Sequence, residues 1–276
     1  MAEYRAPIRP KNPTTLLLWL ENDISRYLYH EVQTYAHGGT ALTLLGIKDS
    51  TKDVDFTFTR KDEFYELMAI LKRMGYNPTY DLKTGNRSHS IRLEKEGSDV
   101  DIIDLHWPYW NNWRITKLIE RDSIQKQYGK ILLKLLDHNA IFLFKTYPVR
   151  VTDIDDLRTV IEKRELDEDR LIALLNEQDE MYRKDFNNDS LESDPARNVI
   201  DLRARVCVSL HLIGNEYRNK LKHFAKFADK LFNELDLGLN YSEIAEFLQK
   251  DFSEKTSVAE LLDDEKIETL RRKLSL

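Results

Sequence analysis

Asp53-Val54-Asp55-Phe56-Thr57-Phe58 alternates polar and apolar residues without a break, the pattern of a half-buried strand. Successive side chains of a strand point to opposite faces. Val54, Phe56 and Phe58 therefore share a core face, and Asp53, Asp55 and Thr57 share the other. Like charges held two residues apart repel, and a cation relieves them. A hard divalent ion that prefers oxygen ligands, Mg2+ (or Mn2+), suits such a pair. The same pattern also describes an exposed strand with two solvated acids, so the flanking sequence has to decide.

Upstream, Val32–Ala36 reads as a short strand running into Gly38-Gly39, and Thr40–Leu45 as the start of a helix stopped by Gly46. Glycines between a strand and a helix let backbone amides converge on an anion, and Thr40 adds a hydroxyl. Pro13 opens a first helix, with Leu16, Leu20, Ile24 and Leu28 at helical spacing. Downstream, Lys61–Gly75 is an amphipathic helix with Phe64, Leu67, Leu71 and Met74 on one face. Strands are expected at Ser90–Lys95 and Val100–His106, joined by the turn Glu96-Gly97-Ser98, and again at Ile131–Leu136. Asn139–Tyr147 reads as a helix, and from about Asp153 the pattern is helical to the C-terminus, broken by the polar run 187–195. Mixed elements followed by helices predict the α+β class. The expected domains are residues 1–160 and a helical C-terminal domain, 161–276.

The 276 residues suffice for one large domain or two modest ones, and 41% apolar with 33% charged side chains is a globular composition. A net charge of -6 argues against a protein that coats nucleic acid through a uniform positive field. The single cysteine, Cys207, allows no intrachain disulfide. Leu16–Leu20 is too short an apolar run to span a bilayer, and Met1–Arg5 lacks the order of a signal peptide, so no membrane association and a cytoplasmic location are expected.

Gly38-Gly39-Thr40 followed by Asp53-Val54-Asp55-Phe56 resembles the signature of the polymerase-β-like nucleotidyltransferases. That resemblance implies a small mixed or antiparallel sheet flanked by helices. It implies a nucleoside triphosphate such as ATP, bound through Gly38, Gly39 and Thr40. It also implies two metal ions roughly 4 Å apart and transfer of a nucleotidyl group to an acceptor hydroxyl. The family requires a third carboxylate from a later strand, and Asp99-Val100-Asp101-Ile102-Ile103-Asp104 offers three. With Val100 and Ile102 on the core face, Asp101 lies opposite and joins Asp53 and Asp55 as metal ligand and catalytic residue. A bulge would substitute Asp104.

A second, narrower likeness lies in Leu135-Leu136-Asp137, Lys145, Arg150 and Asp153-Ile154-Asp155-Asp156-Leu157. This run resembles the abortive-infection (AbiEii-like) nucleotidyltransferases, many of them toxins of toxin–antitoxin pairs. It implies that Lys145 contacts the triphosphate in a catalytic role and that Asp153 or Asp156 completes the site. Acids in the first turn of a helix also complement its dipole, which is the plainer reading of Asp153. The acceptor classes that suit this chemistry are a tRNA 3′ end, a protein side chain and a small molecule. A cognate antitoxin or toxin is a further expected partner. The competing reading is an inactive nucleotide- or RNA-binding module of the same fold, an antitoxin or sensor.

Other features read as structural. Trp107, Tyr109, Trp110 and Trp113 could stack on bases but more simply pin a loop to the core. Arg203, Arg205, Arg218, Lys220, Lys222 and Lys226 could hold phosphates, yet nearby acids suggest a solvated helix face.

Overall fold

The computed structural model describes residues 11–85, 88–110, 113–148, 150–186, 195–233, 241, 242 and 272. The stretch Met1–Arg5, residues 187–194 of the expected polar run 187–195 and most of the chain beyond Asn233 lie outside these residues. The chain divides into two compact units, Met1–Asp137 and His138–Leu276, a division ahead of the expected boundary at 160.

The first unit opens with α1 (Pro13–Leu18), capped by the Asn12 side chain, which accepts from the Thr15 amide at 2.9 Å. The helix widens into a π turn, Trp19–Ile24, and tightens into a 3-10 turn, Ser25–Tyr27. Despite these changes of pitch, Leu16, Leu20, Ile24 and Leu28 are all buried, as their spacing predicts. β1 (Val32–Ala36), α2 (Gly38–Leu44), β2 (Val54–Thr57) and α3 (Lys61–Arg73) follow. Next come β3 (Asn77–Thr84), β4 (Ser88–Glu94), β5 (Ile102–Trp107) and the two-residue pair β6 (Tyr109–Trp110) and β7 (Trp113–Arg114). The unit closes with α4 (Lys117–Asp122), β8 (Ile124–Tyr128) and β9 (Ile131–Leu135).

Seven strands form one mixed sheet in the order β3-β4-β5-β2-β1-β9-β8. β1 pairs parallel with β9 and antiparallel with β2, while β2 pairs parallel with β5. Registry assigns the two faces. Val54, Phe56, Ile91, Leu93, Ile103, Leu105, Ile131 and Leu133 make the apolar face and are buried. α3 packs there, with Phe64 edge-on to Phe58 at 5.8 Å between ring centres. The other face carries Asp55, Thr57, Arg92, Asp104 and His106, with Tyr35 and Lys134 farther along. A sheet with one apolar and one polar face puts its chemistry on a rigid support.

The second unit is helical in its described residues: α5 (His138–Thr146), α6 (Val151–Lys163), α7 (Glu168–Phe186), α8 (Pro195–Ile213), α9 (Asn215–Arg218) and α10 (Phe224–Asn233). α5 is its centre: Asn139 to Thr146 are all buried, and α6, α7 and α8 pack around it. A helix enclosed on all sides has no polar stripe to spare, so its one lysine needs a partner. Among the described residues no helix is long and apolar enough to cross a membrane.

Candidate metal centre

Parallel pairing sets Asp55 of β2 directly beside Asp104 of β5. Paired residues of neighbouring strands point to the same face at one strand spacing, about 4.8 Å. Asp53, two residues before Asp55, points the same way. One ligand oxygen from each of Asp53, Asp55 and Asp104 lies within 4.8 Å of the other two. Three hard oxygen donors converging from two adjacent strands fit a divalent cation of the Mg2+ or Mn2+ type.

Asp101 does not join them. β5 begins at Ile102, and the core positions are Val100, Ile103 and Leu105. The step from Val100 to Ile103 is three residues where regular alternation would give two. This slip moves the polar face from Asp101 to Asp104, the substitution that a bulge was expected to cause. Asp101 instead makes an ion pair with Lys11, which is fully buried and also donates to the Lys52 carbonyl. Lys11 also bridges to Thr51 through backbone hydrogen bonds of 2.7 and 3.0 Å. Asp99 is exposed.

The glycine turn meets the acids at contact distance. Gly38 has φ +56°, and a Cβ there would lie 2.6 Å from the Asp55 Oδ2. A Cβ on Gly39 would run into the Thr51 hydroxyl. Thr40 ties helix to strand: its hydroxyl accepts from the Asp55 amide at 2.9 Å and donates to the Asp53 carbonyl at 3.2 Å. The Thr51 hydroxyl donates to the same carbonyl at 3.1 Å. Two threonines thereby fix the backbone of both acids, and a side chain at either glycine would press on the Asp55 carboxylate or the Thr51 hydroxyl.

Arg92 of β4 lies opposite Asp104 on the same face. Its Nε and Nη2 donate to the Asp104 Oδ1 and Oδ2 at 2.8 and 2.6 Å, and Nη2 lies 3.6 Å from the Asp53 carboxylate. The Asp104 hydrogen bonds hold the guanidinium above its ordinary range against burial, with the Asp104, Asp53 and Asp55 charges adding to them. Arg92 was missed by sequence reasoning. Its signal is the alternation Ser90-Ile91-Arg92-Leu93, which places it on the polar face, but the strand pairing that aims it at Asp104 is not in the local pattern.

Beside this cluster the His37 Nε2 and the Thr57 hydroxyl share a 2.9 Å hydrogen bond, and Trp110 lies 4.9 Å from His37 between ring centres. Trp110 and Trp113 are buried, in keeping with a structural role for the aromatic run. His106 Nδ1 is 3.0 Å from the Ser90 hydroxyl. Burial, then the Arg92 charge, push its imidazole down to about 3.

Lys145 belongs to the helical unit. It is buried on α5 and lies 2.9 Å from Asp153 and 2.8 Å from Asp156 of α6. The fork of Arg150 closes on Asp153 at 2.7 and 3.3 Å. The second motif is thus one ionic cluster. Burial pushes the Lys145 ammonium down, but Asp156 and Asp153 outweigh it and raise it above the lysine range. Burial likewise works to raise Asp153, and Arg150 and Lys145 together hold it below the usual carboxylate value. The basic residues of the C-terminal half are also engaged. Arg203 is buried against Asp179, Arg205 donates to the Tyr147 carbonyl, and Lys220, Lys222 and Lys226 pair with Glu162, Glu165 and Asp169.

Compared with known protein families and with curated proteins, the sequence matches none.

Proposed function

We propose that this protein is a metal-dependent nucleotidyltransferase of the polymerase-β-like kind, moving a nucleotidyl group from a nucleoside triphosphate such as ATP to an acceptor hydroxyl. The observation that carries the reading is the convergence of Asp53, Asp55 and Asp104 directly against the Gly38-Gly39 turn. A solvated acidic strand needs neither glycines packed on its carboxylate nor a third acid in register.

Asp53, Asp55 and Asp104 would hold Mg2+ or Mn2+, which when bound supplies positive charge for the triphosphate and for the charge that develops at phosphorus. The chain's own residues supply position. Thr40 and Thr51 fix the Asp53 carbonyl, and Thr40 also fixes the Asp55 amide, so the two carboxylates are presented without rearrangement. Arg92 holds the plane of the Asp104 carboxylate. The acceptor oxygen attacks the α-phosphorus, the bond to the bridging oxygen breaks, pyrophosphate leaves, and the acceptor proton passes to a nearby base or to water. A tRNA 3′ end or a protein side chain is the acceptor class proposed, in the cytoplasm, with a toxin role and a cognate antitoxin as the wider setting.

One observation favours the second reading, a binding module without transfer activity: Arg92 already neutralises Asp104. Pyrophosphate release separates the two. With Mg2+, a nucleoside triphosphate and a mixture of total RNA and cell protein, wild type should release pyrophosphate. Asp53→Ala/Asp55→Ala should not, while melting at the same temperature as wild type. Release that survives the double substitution, or tight nucleotide binding with no release, removes the transferase reading.

A further inference from the structure

Among the described residues no strand pairs with the outer side of β3, and all but the last of its residues are exposed. Such an edge carries a row of backbone N–H and C=O groups that can pair with another chain, unless charge or a bulge blunts it. β3 is blunted at one end. Its register against β4 slips between Pro78 and Tyr80, whereas Tyr80, Asp81, Leu82, Lys83 and Thr84 run regularly along that strand. Leu82 is the middle of this regular segment. Tyr80 and Leu82 point to one face and are 53% and 50% exposed. Asp81 and Lys83 point to the other, with side chains 32% and 58% exposed.

The regular segment is its own complement. A two-fold axis through Leu82, normal to the sheet, lays a second copy antiparallel to the first. Leu82 then meets Leu82 of the second copy, Asp81 meets its Lys83, and Tyr80 meets its Thr84. Opposite charges directly across two strands stabilise the pairing and like charges destabilise it. An axis on Asp81 or on Lys83 would set like charges face to face. One on Tyr80 or Thr84 would draw the bulge or the hairpin turn at Gly85 into the pairing. The other edge of the sheet lacks this property, because an axis on the middle residue of β8 sets Lys126 against itself.

We propose that β3 is the contact of a homodimer, in which two copies of this chain pair antiparallel through residues 80–84 and join their sheets into one. The interface is isologous, as a closed two-fold requires. Opposed residues share a face, so Tyr80 and Leu82 of both copies form one apolar cluster. It lies on the face that carries Arg92, Asp104 and Asp55, and the acidic centres of the two copies open on the same side of the joined sheet. The pairing draws nothing from the metal reading and is tested apart from it.

The test is sedimentation velocity of the full chain over a concentration series, with Leu82→Lys and Leu82→Glu beside wild type. Leu82 is half exposed, so both variants should melt with wild type. Wild type should pass from monomer to dimer as concentration rises. Each variant alone sets like charges on the axis and should stay monomeric over the same range. An equimolar mixture of the two sets opposite charges there and should recover the dimer, which a merely damaged surface would not do. Lys83→Glu, which puts like charge opposite Asp81, replaces a Leu82 variant that melts early and should also be monomeric. A wild-type monomer throughout would overturn the proposal, leaving the edge to a different protein or to residues of this chain outside those described. A dimer that the variants leave unchanged, or a mixture that stays monomeric, would overturn it as well.

Discussion

Gly38 and Asp55 touch: a methyl group on Gly38 would lie 2.6 Å from the Asp55 Oδ2. The same glycine has φ +56°, in the left-handed region that side chains disfavour by about 1–2 kcal/mol. Helix start and proposed metal ligand are therefore one construction. Gly38→Ala is expected to lower stability by about that strain and to displace the Asp55 carboxylate. The expected readout is Mn2+ affinity reduced far more than the melting temperature suggests. Unchanged Mn2+ affinity in the alanine variant would mean that the contact does not set the ligand's position.

Asp101 and Asp104 separate structure from chemistry. Asp101→Asn leaves the fully buried Lys11 without its carboxylate, and uncompensated buried charge is costly. The expected result is a lower melting temperature with pyrophosphate release per folded molecule retained. Asp104→Asn should show the reverse, near-normal melting and lost release. Calorimetry and the release assay on the two variants suffice, and the opposite assignment would restore Asp101 as the third acid.

Lys145→Met removes the buried cation that Asp153 and Asp156 share and leaves Arg150 as the cation on Asp153. Breaking a buried pair in this way costs on the order of 3–5 kcal/mol. The pH signs follow from the two shifts. Asp153 lies below its ordinary 3.8, so its contribution is present above that value and is lost as pH falls through the folded value. Lys145 lies above its ordinary 10.5, so its contribution is full below that value and is lost as pH rises through the folded value. Urea unfolding should show the wild-type advantage over Lys145→Met shrinking at both extremes. An advantage that stayed flat would show that the cluster is not ionised as drawn.

His106 should stay neutral in the folded protein through mild acid. Its imidazole is pushed from 6.5 to about 3, so between these values the unfolded chain binds the extra proton. Stability is expected to fall as pH drops through this window, and His106→Gln should reduce the fall. Imidazole resonances followed by NMR give the direct check. A midpoint near 6.5 for His106 would contradict the geometry.

The central strands were legible because burial on one face enforces alternation. Asp53–Phe58 and Ile131–Leu136 both lie in the sheet interior, and their core residues are those that the pattern selects. The two strands of the seven-stranded sheet that sequence reasoning missed, β3 and β8, are its edges and are exposed along most of their length. An edge strand with solvent on both faces has no apolar period to read. At the site, Asp53, Asp55 and the glycine turn were readable because they are local. The choice of Asp104 over Asp101 turned on one extra residue between Val100 and Ile103, a slip that flips every side chain after it. Arg92 was invisible for a different reason: its role comes from cross-strand register, which links residues far apart in sequence. The helical unit was legible as helices, and Lys145, Asp153 and Asp156 stood out together, but their ion pairs come from the packing of α5 on α6, which the local pattern does not carry.

The most direct test of the account is transfer of label from each α-labelled nucleoside triphosphate, with Mg2+ or Mn2+, to total tRNA and to cell protein. Asp53→Ala/Asp55→Ala runs beside wild type. The account predicts that wild type alone labels one acceptor class, from one or a few of the nucleotides, and only with metal present. Label in neither acceptor with any nucleotide, from a folded wild-type chain that binds Mn2+, would contradict it.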